Sequence, residues 1–341
     1  MTPTRRSITL GASAAVLAGG FSVSAHAARP TLGNIRRLSP ALDAVVASDA
    51  RIEQLADGFI WSEGPVWVKD GGYLIFSDVP ANTMYRWSEA DGASVFLKPS
   101  GYDGPPTKAF REPGSNGLAL DASGALLVCD HGNRAISRVD LKTRQKTILL
   151  DRHDGKKFNS PNDLAVARSG AIYFTDPPYG LEGINASPLK EMAFNGVYLR
   201  RPDGSVVVVD DALTFPNGVA LSPDERHLYV AVSDPEGPVI MAYDLGADGL
   251  PVKRQPFFDA MALHKAGGPG LPDGLCLDTE GRLYATGPGG VLVITPAGDL
   301  IGVIDLDRPI ANCAFGEDGH TLFLTADDIL ARVRLKTTGL I

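Results

Sequence analysis

Apolar residues in this chain gather into short runs of Val, Ile, Leu, Tyr and Phe, each closed off by Asp, Gly, Asn, Ser or Pro. Runs of that kind read as strands, and the residues that close them as turns. Beyond residue 28 nothing long carries the period of an amphipathic helix. One arrangement repeats six times: a residue with a side-chain oxygen, usually a glycine, an apolar strand, a polar turn, a second apolar strand, then a loop and a third strand. The openings are Glu63-Gly64-Pro65-Val66, Asn116-Gly117-Leu118-Ala119, Asn162-Asp163-Leu164-Ala165, Asn217-Gly218-Val219-Ala220, Asp273-Gly274-Leu275-Cys276 and Asn312-Cys313-Ala314-Phe315.

Units of roughly 40–55 residues with about four strands each predict an all-β, six-bladed β-propeller. A lone four-stranded blade cannot bury both faces, so blades stack around an axis and close into a ring. The sixth unit has no room for a fourth strand before Ile341. The strand-like run from Arg51 to Phe59 is expected to complete it and join the two ends of the chain. The domain organisation is then 1–27 leader, 28–48 N-terminal extension and 49–341 propeller.

The first strand of each blade lines the axial channel, so the six opening residues fall at one level of it. Each alone reads as a turn former. Together, Glu63, Asn116, Asn162, Asn217, Asp273 and Asn312 form a ring of oxygen donors suited to a hard cation such as Ca²⁺ or Mg²⁺. No sulfur or imidazole joins the ring, which argues against a structural zinc site.

Several segments carry a resemblance to a known family. They are Ser62-Glu63-Gly64-Pro65, Cys129-Asp130-His131-Gly132-Asn133-Arg134, Asn159-Ser160-Pro161-Asn162-Asp163, Phe174-Thr175-Asp176-Pro177-Pro178-Tyr179-Gly180, Phe215-Pro216-Asn217-Gly218 and Leu271-Pro272-Asp273-Gly274. With these the chain resembles the gluconolactonase / senescence-marker-protein (regucalcin-like) superfamily of six-bladed propellers, in its bacterial gluconolactonase form. The resemblance implies one divalent cation held by Glu63, Asn162, Asn217 and Asp273. Ca²⁺ is the first expectation, with Mg²⁺, Mn²⁺ or Zn²⁺ as alternatives. It also implies hydrolysis of a small-molecule sugar lactone to the aldonic acid. Asn116 is then expected to contact substrate, and Asn312 to be structural.

Calcium acidifies water only weakly, so a general base is needed, and Asp273 is the candidate catalytic carboxylate. His131 and Arg134, on the loop after the second strand of unit two, are further candidates for binding sugar hydroxyls or the product carboxylate. Asp163, Asp176 and Tyr179 are weaker ones. No Gly-x-Ser-x-Gly elbow is present, which disfavours a Ser-His-Asp hydrolase. Two alternatives stay open. One is another metal-dependent ester or phosphotriester hydrolase on the same propeller. The other is a non-catalytic propeller stapled by its metal.

Composition adds compartment and partners. A net charge of −8 gives no electrostatic footprint for nucleic acid. The start Thr4-Arg5-Arg6-Ser7, a small-residue apolar run and Ala25-His26-Ala27 read as a twin-arginine export signal, which predicts a periplasmic mature protein. No later segment offers a membrane span. Cys129, Cys276 and Cys313 lie in apolar runs and read as buried small hydrophobes. One disulfide among them is compatible with an oxidising compartment, and the sequence does not name the pair.

Overall fold

The computed structural model describes residues 29–341. The export signal expected over 1–27 lies outside them. Six antiparallel sheets surround a common axis. Their inner strands are Ser62–Val68, Ser115–Leu120, Leu164–Val166, Pro216–Leu221, Leu275–Leu277 and Asn312–Gly316. Each inner strand packs on the next, and the strand at 312–316 packs back on 62–68, so the ring is closed. This is the expected six-bladed propeller. Among the described residues no helix is long and apolar enough to cross a membrane.

The closure is also as expected. Ile52–Asp57 pairs antiparallel with Ile329–Arg334, with Ile329 opposite Asp57 and Val333 opposite Ile52. The chain's own ends therefore share one sheet, and the ring cannot open without breaking that ladder. Arg332 reinforces the seam: it pairs with Glu53 at 3.0 Å and with Glu317 and Glu89 at 2.9 Å, the last belonging to the first blade. Its guanidinium lies 5.6 Å from the Trp87 ring, and Arg29 covers the same ring at 5.5 Å.

The stretch before the propeller is not a loose tail. Thr31–Leu32 adds to the outer edge of the sixth blade and Asn34–Arg37 to that of the fifth. A short 3₁₀ turn, Pro40–Ala44, is capped by Ser39 and buries Leu42. Leu42, Val45 and Val46 join the core between these two blades beside Ile304, Val333 and Leu335. Covering an edge removes a row of unpaired backbone groups that would otherwise template aggregation.

The glycines after the ring residues serve packing rather than turns. A Cβ on Gly64 would overlap the Asn116 carbonyl, and one on Gly218 the Asp273 carbonyl. Gly117 and Gly274 face Asp163 and Asn312 in the same way. The inner strands thus approach too closely for any side chain at this level. Just there the ladders slip, between Glu63 and Val66, between Ser115 and Leu118 and between Pro216 and Val219. Such bulges re-aim a side chain. Second-strand hydroxyls then bridge neighbouring blades: Ser77 Oγ donates to the Asn116 carbonyl at 2.8 Å and Thr175 Oγ1 to that of Asn217 at 2.6 Å.

Replacing Gly218 by Ala is therefore expected to cost about 1–3 kcal/mol, the range for overpacking. Replacing Gly237 by Ala, where a Cβ meets nothing within 4 Å, should change stability by less than about 0.5 kcal/mol. Denaturant unfolding of both variants tests the pair; equal stabilities would refute the close-approach account.

Candidate active site at the propeller axis

Five of the six ring residues end at the floor of a cavity of about 760 Å³ at one end of the axis. The floor holds Glu63, Asn116, Asn162, Asn217 and Asp273; the wall holds Arg111, Glu112, Tyr179 and Ser233; the rim is apolar, with Ile60, Trp61, Leu271 and Ile310. A groove of about 900 Å³ on the outside of the first two blades is larger, but it is lined by turn residues. Its Asp121, Ser123 and Arg138 bond to one another.

Each floor residue is held by its blade. Glu63 Oε2 accepts from the Gly64 N–H at 2.7 Å and from Asn312 Nδ2 at 3.2 Å. Asn312 thus braces Glu63 rather than facing the cavity. Asn217 Nδ2 donates to Ser233 Oγ at 2.8 Å, and that hydroxyl donates to the Pro272 carbonyl at the edge of the next blade. This use of the amide N–H leaves Asn217 Oδ1 available. Two oxygens are out of solvent with no partner: Asn116 Oδ1 and Asp273 Oδ1. Unpaired buried acceptors are uncommon and call for a missing donor or cation.

The electrostatics point the same way. Glu63 is pushed up to about 8, mainly by burial and further by Asp163 and Glu112. Asp163 and Glu112 are each raised to about 7, chiefly by burial. Asp273 is raised well above the usual range by burial and then by the charges of Glu63, Asp163 and Glu112. Among the described residues no cationic side chain forms an ion pair with Glu63, Asp163 or Asp273; only Glu112 has Arg111, at 3.0 Å. Three carboxylates without a counter-charge make a site that favours a cation. Among the described residues no three His, Cys, Asp or Glu side chains gather in metal-ligand geometry. A cation here would draw on a mixed set, two carboxylates and neutral amides, all oxygen.

The structure brings Glu63, Asn162, Asn217, Asp273 and Asn116 together and places the other two candidates elsewhere. His131 is fully buried behind Asn116, with Nε2 3.4 Å from Asn116 Nδ2. Burial, aided by Arg111, pushes its pKa down to about 3, so it is neutral and its Nε2 accepts from the amide. It can orient Asn116 but does not line the cavity. Arg134, expected to bind substrate, is turned away. Its Nε donates to the Phe158 carbonyl at 2.7 Å and its Nη1 pairs with Glu191 at 3.3 Å. The cause is its place at the end of a tight hairpin turn, with φ at 57°.

The weaker candidates divide too. Asp176 pins a loop, accepting from the Asn159 N–H at 2.8 Å. Asp163 accepts from the Leu164 and Val219 N–H groups at 2.9 and 3.1 Å, joining the third blade to the fourth. Tyr179 lines the wall, stacked on Phe215 with ring centroids 5.8 Å apart. Arg111, Glu112, Trp61 and Ser233 escaped the sequence reading because they lie outside the repeated position. The available signal was the long Gly- and Pro-rich connection before Asn116, since long loops on a rigid scaffold tend to carry function.

Comparison with known proteins fits this geometry. The model of the SMP-30/Gluconolactonase/LRE-like region matches residues 61–328. The chain belongs to that family. It is 47% identical to a gluconolactonase of Zymomonas mobilis over 319 residues, covering 91% of this chain and 88% of that one. A solved gluconolactonase from Xanthomonas campestris superposes with a TM-score of 0.77 at 35% identity, covering 91% of this chain and 99% of the other. A calcium-binding regucalcin from Agrobacterium tumefaciens shares the fold, with a TM-score of 0.65 at 19% identity over 84% of this chain and 95% of that one.

The raised carboxylates make stability depend on pH. In protein free of divalent cations the folded chain keeps a proton on Glu63 that the unfolded chain loses above 4.5. The Glu63 contribution to stability should therefore fall as pH rises from 4.5 to about 8. Thermal melts in chelator across that range should show the decline, and Glu63→Gln should make it shallower, leaving the part due to Asp163, Glu112 and Asp273. A melting temperature that rises over this interval would contradict the assignment.

Proposed function

We propose that the chain hydrolyses a sugar lactone to its aldonic acid in the axial cavity, with one divalent cation held by Glu63, Asn162, Asn217 and Asp273. The observation that carries the reading is the set of uncompensated buried carboxylates with the unpartnered Asp273 Oδ1 at the cavity floor. The gluconolactonase names of relatives at 47% and 35% identity support the lactone. The all-oxygen donor set supports Ca²⁺ ahead of softer ions, with Mg²⁺ and Mn²⁺ distinguishable by geometry. The twin-arginine start supports work in the periplasm.

When bound, the cation supplies a Lewis acid for a carbonyl oxygen and lowers the pKa of water. The chain's own residues do the rest. Asp273, through the carboxylate oxygen that does not hold the cation, takes a proton from the water that adds to the carbonyl carbon. The same proton is then available to the ring oxygen as the ester bond breaks. Asn116 Oδ1, turned inward by neutral His131, accepts from a sugar hydroxyl. Arg111 is the cationic group on the cavity wall and suits the carboxylate of the product.

The apolar rim of Ile60, Trp61, Leu271 and Ile310 favours a second reading, a less polar ester or a neutral phosphotriester as substrate. One set of assays separates the two. Proton release from glucono-δ-lactone should exceed spontaneous ring opening, disappear in chelator and return with Ca²⁺, while a neutral phosphotriester is turned over far more slowly. No cation-dependent acceleration with the lactone would defeat the proposal, and the reverse preference would favour the second reading.

Asp273→Asn keeps an oxygen at the ligand position but removes the base. It should lower kcat by about 10²–10⁴. Turnover near that of the unsubstituted protein, with cation binding intact by calorimetry, would remove Asp273 from the reaction.

A further inference from the structure

Cys276 and Cys313 lie on adjacent inner strands, Leu275–Leu277 of the fifth blade and Asn312–Gly316 of the sixth. Their sulfurs are 3.4 Å apart. The strands are locked in register just above them by the Gly274 N–H, which donates to the Ala311 carbonyl at 2.8 Å. Thr286 Oγ1 reinforces this by donating to the same carbonyl at 3.0 Å. A disulfide needs sulfurs about 2.05 Å apart, so they must close by roughly 1.3 Å, within reach of side-chain rotation and a small strand adjustment. Cys276 is partly open to solvent and Cys313 is buried. Cys129 belongs elsewhere, fully buried in the core of the second and third blades with Leu127, Phe158 and Phe174.

We propose that Cys276 and Cys313 form a reversible disulfide that staples the fifth blade to the sixth directly below the polar ring. Cys276 lies three positions after Asp273. Cys313 follows Asn312, whose Oδ1 accepts from the Cys313 N–H at 2.8 Å and whose Nδ2 holds Glu63. The bond would tie together the strands that present Asp273 and brace Glu63. It closes a loop across 37 positions of sequence and has one end in the blade that seals the ring.

The oxidant is an external disulfide, protein-bound or of low molecular weight, of the kind an oxidising compartment supplies. The Cys276 thiolate attacks one sulfur of that disulfide, forming a mixed disulfide and releasing one thiol. The Cys313 thiolate then attacks the Cys276 sulfur and releases the second thiol. Two thiols lose two electrons, the external disulfide gains them, and the two protons leave with the released thiols. Burial of Cys313 favours closure during folding, before the inner strands are sealed.

The test uses the full chain refolded in oxidised or reduced glutathione and then denatured for thiol titration. Reduced protein should show all three cysteines as thiols, and oxidised protein only Cys129. Peptide mass mapping of the oxidised sample should find the peptides of Cys276 and Cys313 linked. Oxidation should raise the melting temperature by several degrees, and Cys276→Ser should abolish that shift while Cys129→Ser retains it. Three titratable thiols after oxidation, a link through Cys129, a dimer linked through Cys276, or a bond formed with no change in melting temperature would each overturn the proposal.

Discussion

The closeness of the six inner strands at the axis governs the rest of the molecule. Strands that near leave no volume for a Cβ at Gly64 or Gly218, because a neighbour's carbonyl already occupies it. The residue just before the glycine must then turn its side chain along the channel, and the bulges at Glu63, Asn116 and Asn217 accomplish that turn. Packing therefore concentrates polar groups at one level. The ring of donors is a consequence of how the propeller closes, and the same contacts that hold the blades hold the site.

That concentration has an electrostatic cost. Glu63, Asp163 and Asp273 are buried with little compensation, and each is pushed toward its protonated form mainly by loss of solvent. A protein gains nothing in stability from such a cluster on its own. The cation proposed for the cavity floor would supply the missing positive charge, and the oxygen-only donor set suits a hard ion. The stability surrendered at the floor is offset at the perimeter. The Arg332 network and the two arginines at the Trp87 ring reinforce the seam between the chain ends, and the N-terminal strands cover two outer edges.

The parts legible in the sequence were those repeated six times. Six recurrences of a strand, polar turn and strand within units of about four strands fix blade number, and a shared position in each repeat fixes the ring. The final strand at Ile52–Asp57 was legible because the sixth unit ran out of chain. What was not legible lay off the repeat. Arg134 and His131 sit on a hairpin near the cavity, yet one side chain bends outward to carbonyls and the other packs behind Asn116, and local sequence does not set that direction. Arg111 and Glu112 reach the wall from an irregular connection with no partner in other blades to compare. The Asn-Gly and Asp-Gly pairs carried a signal that local reasoning assigns to turns, whereas the cause is a contact with a strand about fifty residues away.

The ring is also not uniform, and its exceptions are informative. Four of its six steps put bare glycine against the next blade. The third blade has Asp163 at that place and the sixth has Cys313. Asp163 fills its step by accepting from the Val219 N–H, and Cys313 shares its step with the bond from Asn312 to Glu63. These steps, from the third blade to the fourth and from the sixth to the first, lie opposite each other across the axis. The two steps without glycine are positions where the side chain can differ without disturbing the close contacts at the other four. At one the chain places a third carboxylate near Glu63 and Asp273, and at the other a cysteine whose sulfur faces back toward Cys276 on the fifth blade. The departures from the repeat thus fall where the packing permits them: Asp163 adds to the charge around Glu63 and Asp273, and Cys313 follows the Asn312 that braces Glu63.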